Sequence, residues 1–506
     1  MRRRFAATAA MLAATLLAGC TRGGDEPGTG GSPSAAPSST ASKAAANPYA
    51  QRLAWRSCGE RVECSTLRVP LDHTQPAGRR IDVAVVRVPA TGGGRPLGSL
   101  VLNPGGPGGS GVAYARAAPQ VLPPDLRARF DIIGFDPRGV GASTPVDCIS
   151  DRQTDALLAG PGEPENAAEL QQVVASSRAL VEGCRRSSGD LLSHLRTDDV
   201  ARDMDVLRAA LGDQRLTFLG KSYGTFLGAR YAELFPTRVR ALALDGAVDP
   251  SLTGEQLNAA QARGFESSFT AFLTQCVADG GCPLGSDVPA ARAAVQRLLE
   301  RAERSPLPAD GERKLSENLL AYALAAALYS PAEGWPELEA GLREALDGRG
   351  ARLLRLADAL LERDPSGRYS SQFESNIAIN CVDRPWPRDV KRIQRLAAQA
   401  AGTSPLFGPA IVYGSLPCAL WPVPPSPAAP VRAAGAPPIL VVGTEADPAT
   451  PFAWSQALAA QLESGVLLAY DGSGHTAFGR GSRCIDEAVI RYLVETIPPA
   501  TGTRCR

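Results

Sequence analysis

The chain has 506 residues, 53 of them Lys or Arg against 52 Asp or Glu. That length exceeds what one hydrophobic core usually holds, so one elaborated domain or a domain carrying an insertion is expected. The balanced charge, with no basic run after the first residues, leaves no electrostatic footprint for a nucleic-acid partner.

The chain opens with Arg2, Arg3 and Arg4, runs through an apolar stretch from Phe5 to Leu17 and reaches Leu17-Ala18-Gly19-Cys20. A basic start, a short apolar run and small residues at the cleavage point predict a secretory signal over 1–20, too short to span a bilayer. A cysteine directly after those small residues resembles the bacterial lipobox. It implies that Cys20 becomes the lipidated first residue of an exported cell-membrane lipoprotein that faces outside, or is released to the wall or medium. Residues 21–48, rich in Gly, Ser, Pro, Thr and Ala, predict a disordered tether between membrane and enzyme.

Ten further cysteines, at 58, 64, 148, 184, 276, 282, 381, 418, 484 and 505, form an even set in an exported chain. They read as up to five disulfides in an oxidising compartment. Joining sequence neighbours pairs Cys58 with Cys64, Cys148 with Cys184, Cys276 with Cys282, Cys381 with Cys418 and Cys484 with Cys505, although spacing alone leaves connectivity open. With no C-x-x-C or H-E-x-x-H and only His73, His194 and His475 as imidazoles, neither a metal site nor a cofactor is expected.

After the tether, "VECSTLRVPLDH" (62–73) and "IDVAVVRVP" (81–89) predict an antiparallel strand pair. Six apolar, β-branched runs follow, at 98–106, 130–139, 215–224, 239–247, 437–448 and 465–475, most leading into helical periods. This is the alternation of a mostly parallel sheet. In "TDDVARDMDVLRAALG", Val200, Met204, Leu207 and Leu211 recur at helical spacing, and Asp198 and Asp199 suit the N-terminal dipole. From 250 to 430 the strand signal vanishes and helical stretches take over. The fold class expected is therefore α/β: an α/β-hydrolase core over 49–249 and 431–506, with a mostly parallel central sheet and a helical cap inserted over 250–430.

"LGKSYGT" (219–225) has two incompatible readings. As the end of a phosphate-binding loop it needs a glycine five positions before Gly220, where Arg215 stands, so a nucleotide is not expected. As G-x-S-x-G it is a nucleophile elbow, with Ser222 on a strained strand-to-helix turn and Lys221 at a variable position. "NPGGPGGSG" also satisfies G-x-G-x-x-G through Gly106, Gly108 and Gly111. The flanking Pro104 and Pro107 and the export signal argue against a dinucleotide there.

An elbow demands Ser, then Asp or Glu, then His, each just past a strand. Asp447 follows "ILVVG" and His475 follows "VLLAYDGSG". Asp245 and Glu445 are rival acids, whereas His73 and His194 precede the serine and do not fit the order. The chemistry predicted is acyl transfer: Ser222 attacks a carbonyl carbon, His475 moves the proton and Asp447 orients the imidazole. The oxyanion donors expected are the N–H of Tyr223 and one from the glycine loop, Gly106, with Gly105 as the alternative.

"NPGGPGGSG", "FDPRGVGAS", "GKSYGT", "GTEADPATP" and "GSGHTAF", in this order and with a helical insertion, resemble the secreted tripeptidyl aminopeptidases of actinobacteria. These belong with the proline iminopeptidases among α/β-hydrolases, and their lipid-anchored mycobacterial and streptomycete members are described variously as proteases and carboxylesterases. The resemblance covers residue 50 to the end. It implies an exopeptidase that removes short peptides from free N-termini, with a peptide as substrate and the triad on Ser222, Asp447 and His475. Asn103-Pro104 stands where simpler iminopeptidases carry His before the glycines.

Capped members recognise the substrate amino group with cap acids, for which Glu374 is a candidate against an ordinary solvated or paired acid. Thr450 either braces the loop of Asp447 or caps a helix. A carboxylesterase or lipase with the same triad is the alternative function, and a solute-binding lipoprotein without catalysis is a third.

Overall fold

The structure is a computed structural model that describes residues 47–506. Cys20, the expected signal over 1–20 and the expected tether up to residue 46 lie outside the described residues. Asn47 and Pro48, the last residues assigned to the tether, begin a 3-10 turn (Pro48–Ala50) in which Asn47 Oδ1 accepts the Tyr49 N–H and Pro48 is buried.

Ten strands form one sheet: β1 (Arg56–Gly59), β2 (Val62–Pro70), β3 (Arg80–Val88), β4 (Ser99–Asn103), β5 (Asp131–Phe135), β6 (Leu216–Lys221), β7 (Val239–Asp245), β10 (Ile439–Ala446), β11 (Gly465–Ser473) and β12 (Arg504–Cys505). Their order is β1-β2-β3-β5-β4-β6-β7-β10-β11-β12. β1, β2 and β3 pair antiparallel, and β3 joins β5 antiparallel. From β5 to β12 every pairing is parallel. The eight expected strands all form, and the short edge strands β1 and β12 add to them.

Strands covered on both faces read as continuous apolar runs, and the pleat sends alternate residues to opposite sides. Val101, Ile133, Phe218 and Val441 join one core with Met204, Leu207 and Leu227 of the helices Thr197–Leu211 and Tyr223–Leu234. Leu100, Leu102, Leu219 and Val442 face the other way, onto Ile485 and Tyr492 of the helix Arg483–Glu495. Helix Thr197–Leu211 also buries Asp203 and Asp205, which its apolar spacing does not reveal. Asp203 accepts from the guanidinium of Arg138 at 2.7 Å through both oxygens, and Arg138 reaches on to the carbonyls of Pro70 and Leu71.

β7 and β10 are neighbours in the sheet although the whole helical cap lies between them in sequence. The cap has its own core, with Phe269, Leu298, Leu320, Leu342 and Leu354 among its members. The expectation that 250–430 holds no strand needs one correction: β8 (Leu307–Pro308) pairs with β9 (Lys314–Leu315). The two flank a turn through Gly311, at φ +64°, and are too short for any periodicity to announce them.

The ten cysteines form five disulfides between sequence neighbours, Cys58–Cys64, Cys148–Cys184, Cys276–Cys282, Cys381–Cys418 and Cys484–Cys505. Among the described residues no helix is long and apolar enough to cross a membrane.

Candidate active site

β6 delivers Ser222 to the carboxyl edge of the sheet, and the helix Tyr223–Leu234 carries the chain away. Ser222 takes φ +55° and ψ −124°, a conformation that costs an L residue about 1–3 kcal/mol and persists only where its surroundings impose it. Close packing explains the glycines: a β-carbon on Gly220 would stand 2.3 Å from the Gly224 carbonyl oxygen, and one on Gly224 would stand 2.8 Å from Asn103 Oδ1. The Ser222 N–H donates to the Asp245 carbonyl at 2.9 Å, so β7 clamps the turn.

Two strands away, Asp447 and His475 meet. His475 Nδ1 lies 2.9 and 3.0 Å from the two carboxylate oxygens of Asp447. Asp447 is only 4% exposed, and its carboxylate also accepts from the N–H of Ala449 (2.9 Å), Thr450 (2.8 Å) and Thr476 (3.2 Å) and from the Thr450 hydroxyl (2.9 Å). An acceptor-only partner assigns the proton to Nδ1, leaving the Nε2 lone pair free. Thr450 Oγ1 is also 3.3 Å from Nδ1, so Thr450 braces the acid's loop, and the following helix is capped by Pro451 instead.

Ser222 and His475 share no hydrogen bond among the described residues. Gly246 links their surroundings, since it directly follows Asp245 and a β-carbon there would stand 3.4 Å from His475 Cε1. Catalytic contacts are often long without substrate.

The rival acids have other work. Asp245 is fully buried and accepts from the N–H of Ala477 (2.9 Å) and Phe478 (3.0 Å), which ties the segment after His475 to the elbow. Burial raises its pKa, against the nearby Lys221 charge that lowers it. Lys221 is more than a neutral occupant of a variable position, because its Nζ donates to the Phe478 carbonyl at 2.7 Å and lies 4.0 Å from Asp245. Glu445 pairs with Arg504 on the edge strand. His73 contacts Asp203 at 2.8 Å, and His194 offers its carbonyl to Arg138 at 3.0 Å.

The glycine loop leaves β4 beside the elbow, with Asn103 in register with Gly220. A β-carbon on Gly105 would stand 2.8 Å from Ser222 Cβ, and Gly105 takes φ +102°. Asn103 Oδ1 accepts the Gly105 N–H at 3.0 Å, so this amide is already engaged. Gly106 is exposed where Gly105 is buried, and it lines a cavity. Tyr223 opens a helix, where the first N–H groups have no intrahelical acceptor.

Two cavities of about 380 and 330 Å³ adjoin and share Asn318, Tyr322, Tyr329, Asn376 and Ile377; Gly106 lines the first only, and neither Ser222 nor His475 is in the lining of either. No charged side chain lines either one. Glu374 is not among the lining residues. Its carboxylate accepts from the N–H of Cys148 (2.8 Å) and Ile149 (2.9 Å), and burial, with the charges of Asp147 and Asp151, pushes its pKa up to about 7. The first cavity is walled partly by Leu157, Gly162 and Leu180, so the β5–β6 connection serves as cap although the expected cap began only at 250.

Tyr329 is the contact that sequence reasoning missed. Its carbonyl accepts the His475 N–H at 2.8 Å, and its ring meets the imidazole edge-on at 5.1 Å. Burial and the Asp447 charge push its phenol up to about 12. No local pattern in "ALYSPAEG" distinguishes this tyrosine from an ordinary core aromatic. Among the described residues no group of three or more His, Cys, Asp or Glu stands together as a metal site would require.

Residues 404–505 match the family model described as TAP-like protein. Over 457 residues the chain is 41% identical to "Serine protease Hip1" of Mycobacterium tuberculosis, covering 87% of each chain. It is 38% identical over 514 residues to "Carboxylesterase B" of the same species, covering 98% of this chain and 95% of the relative. It is also 32% identical over 480 residues to the "Tripeptidyl aminopeptidase" of Streptomyces lividans, covering 91% and 88%.

Proposed function

The chain belongs to the actinobacterial α/β-hydrolase family that contains these serine proteases, carboxylesterases and tripeptidyl aminopeptidases, and from that premise we propose that it is a serine peptidase releasing short peptides from free N-termini through an acyl-enzyme. The observation that carries the reading is the buried Asp447–His475 pair at the same sheet edge as the strained Ser222.

In this mechanism Ser222 Oγ attacks the scissile carbonyl carbon while His475 Nε2 takes its proton. Asp447 holds the imidazole with Nδ1 protonated and stabilises the imidazolium that forms. The oxyanion is held by the N–H of Gly106 and of Tyr223, and the engagement of the Gly105 N–H by Asn103 favours Gly106 as the loop donor. His475 then protonates the departing amine and activates the water that hydrolyses the ester.

One observation favours the carboxylesterase as a second reading: the two cavities offer amides, hydroxyls and apolar groups but no carboxylate to pair with a substrate ammonium. A single comparison separates the two. A tripeptide anilide and its N-acetylated form are given to the oxidised enzyme, with Ser222→Ala as control. Loss of turnover on acetylation supports the exopeptidase, whereas equal cleavage of blocked peptides and simple esters supports the esterase. Unchanged turnover by Ser222→Ala rejects both.

The enzyme acts outside the cell, held by a lipid on Cys20. The supporting observations are the signal-like start and five disulfides, which suit an oxidising compartment. A Cys20→Ser variant that still partitions with membranes would defeat the anchor.

A further inference from the structure

One cap helix, Gln372–Asp383, is connected to both oxyanion donors. Near its middle, Asn376 Nδ2 donates to the Pro107 carbonyl at 3.0 Å, directly after Gly106. Asn380 Nδ2 in turn donates to Asn376 Oδ1 at 3.0 Å and orients that amide. Ser375 Oγ donates to the Gly139 carbonyl at 2.6 Å, anchoring the same turn of helix to the core. The contact leaves no slack, for a β-carbon on Gly108 would stand 2.8 Å from the Gln372 carbonyl oxygen.

At the helix's other end, Asp383 is 6% exposed and accepts from Thr197 twice, from its N–H at 2.7 Å and its hydroxyl at 2.6 Å. The Thr197 hydroxyl has one hydrogen, which it gives to the carboxylate. In its 2.5 Å contact with the Tyr223 phenol, the phenol is therefore the donor. A continuous chain runs from Tyr223 O–H to Thr197 O–H to the Asp383 carboxylate.

Resting on the acyl-enzyme reading above, we infer that Asn376 and the Thr197–Asp383 pair are positioning residues for the oxyanion hole. Asn376 sets the Gly106 N–H through the Pro107 carbonyl, and Thr197 with Asp383 sets the Tyr223 N–H through the Tyr223 side chain. Backbone donors stabilise an oxyanion only when held within a few tenths of an ångström of the right place. Gly105, Gly106 and Gly108 all have positive φ; Gly105 is held within the loop by Asn103 Oδ1 and the Gly109 N–H, whereas Pro107, next to Gly106, is held from the cap by Asn376. The Cys381–Cys418 disulfide ties the helix to the neighbouring helix Leu416–Leu420, so both struts start from one anchored body.

The test uses Thr197→Val, Thr197→Ser, Asn376→Leu and Tyr223→Phe in the full, oxidised chain. Three readouts are taken: kcat and KM on a chromogenic substrate, the rate of Ser222 phosphonylation by a fluorophosphonate, and Tm. Thr197→Val, Asn376→Leu and Tyr223→Phe are expected to lower kcat and phosphonylation together by about tenfold, with KM changed less than about twofold, and Thr197→Ser is expected to restore both. Tyr223→Phe removes only the phenol hydroxyl and keeps the readout available if another variant fails to fold. Wild-type kcat and labelling in these variants, a rise in KM alone, or no rescue by serine overturns the inference. Failure of the wild-type enzyme to label at Ser222 overturns the acyl-enzyme reading instead.

Discussion

His475 is held from two directions: Asp447 of the core binds its Nδ1 at 2.9 Å, and the cap carbonyl of Tyr329 accepts its main-chain N–H at 2.8 Å. His475 therefore sits on the seam between cap and sheet.

That seam makes Gly474→Ala informative. Gly474 has φ +99°, and a β-carbon there would stand 2.7 Å from Pro331 Cδ and 3.1 Å from the Tyr329 carbonyl oxygen. The substitution should push the His475 loop off the cap and lower kcat by about tenfold or more, because small misplacements of a general base are expensive. Steady-state kinetics at matched Tm check it, and an unchanged kcat would mean that the cap contact is irrelevant to the base.

Asp447→Asn should lower kcat by about 10⁴-fold, since an amide can donate to Nδ1 and force the proton onto Nε2. Thr450→Val removes one donor to the same carboxylate but leaves the N–H bonds of Ala449 and Thr450 in place. Its expected loss is smaller, about tenfold. Equal losses for the two variants would contradict this division of labour.

Asp245→Asn tests a structural carboxylate. An amide oxygen in place of Oδ2 could still accept from Ala477 and Phe478, but the NH₂ in place of Oδ1 would then face the Ala477 N–H donor at 2.9 Å and the negative charge beside Lys221 would be lost. Stability should fall by about 3 kcal/mol in urea denaturation. A loss below about 0.5 kcal/mol, within the range of ordinary surface changes, would show that the network contributes nothing.

Acid should stabilise the fold before it destroys it. Burial pushes Glu317 and Glu374 up to about 7 and Asp383 up to about 6. Each holds its proton in the folded chain at a pH where the unfolded chain, with carboxyls titrating near 4, has released it. Folding therefore takes up protons between about pH 4 and 7, and stability rises as pH falls through that window. Asp155 and Asp203, whose carboxyls are held below their ordinary values, act only at lower pH. Tm at pH 5.5 should exceed Tm at pH 8, and Glu317→Gln should flatten the slope. A Tm that drops steadily from pH 8 to 5.5 would refute the assignment.

Local patterns made much of this legible. β4, β6 and β10 are covered on both faces and so carry short, largely apolar runs, LVL, TFL and ILVV, which distinguish sheet from cap along the chain. The G-x-S-x-G spacing announced a turn whose glycines are needed because the Gly224 carbonyl and Asn103 leave no room for a β-carbon. β8 and β9, with two residues each, escaped because a period needs length to be seen.

The order of Ser222, Asp447 and His475 past their strands and the class of the fold were legible along the chain alone. These follow from spacing along the chain, which backbone periodicity and loop length constrain directly. Tertiary packing was needed to pair the ten cysteines and to show that Asp245 holds the segment after His475, that Asn103 engages the Gly105 N–H, that Glu374 holds the backbone of Cys148 and Ile149, and that Tyr329 receives His475 from the cap. Each of these joins atoms whose proximity is set by how separate elements pack, and no period or motif within one element encodes its neighbour across the interface.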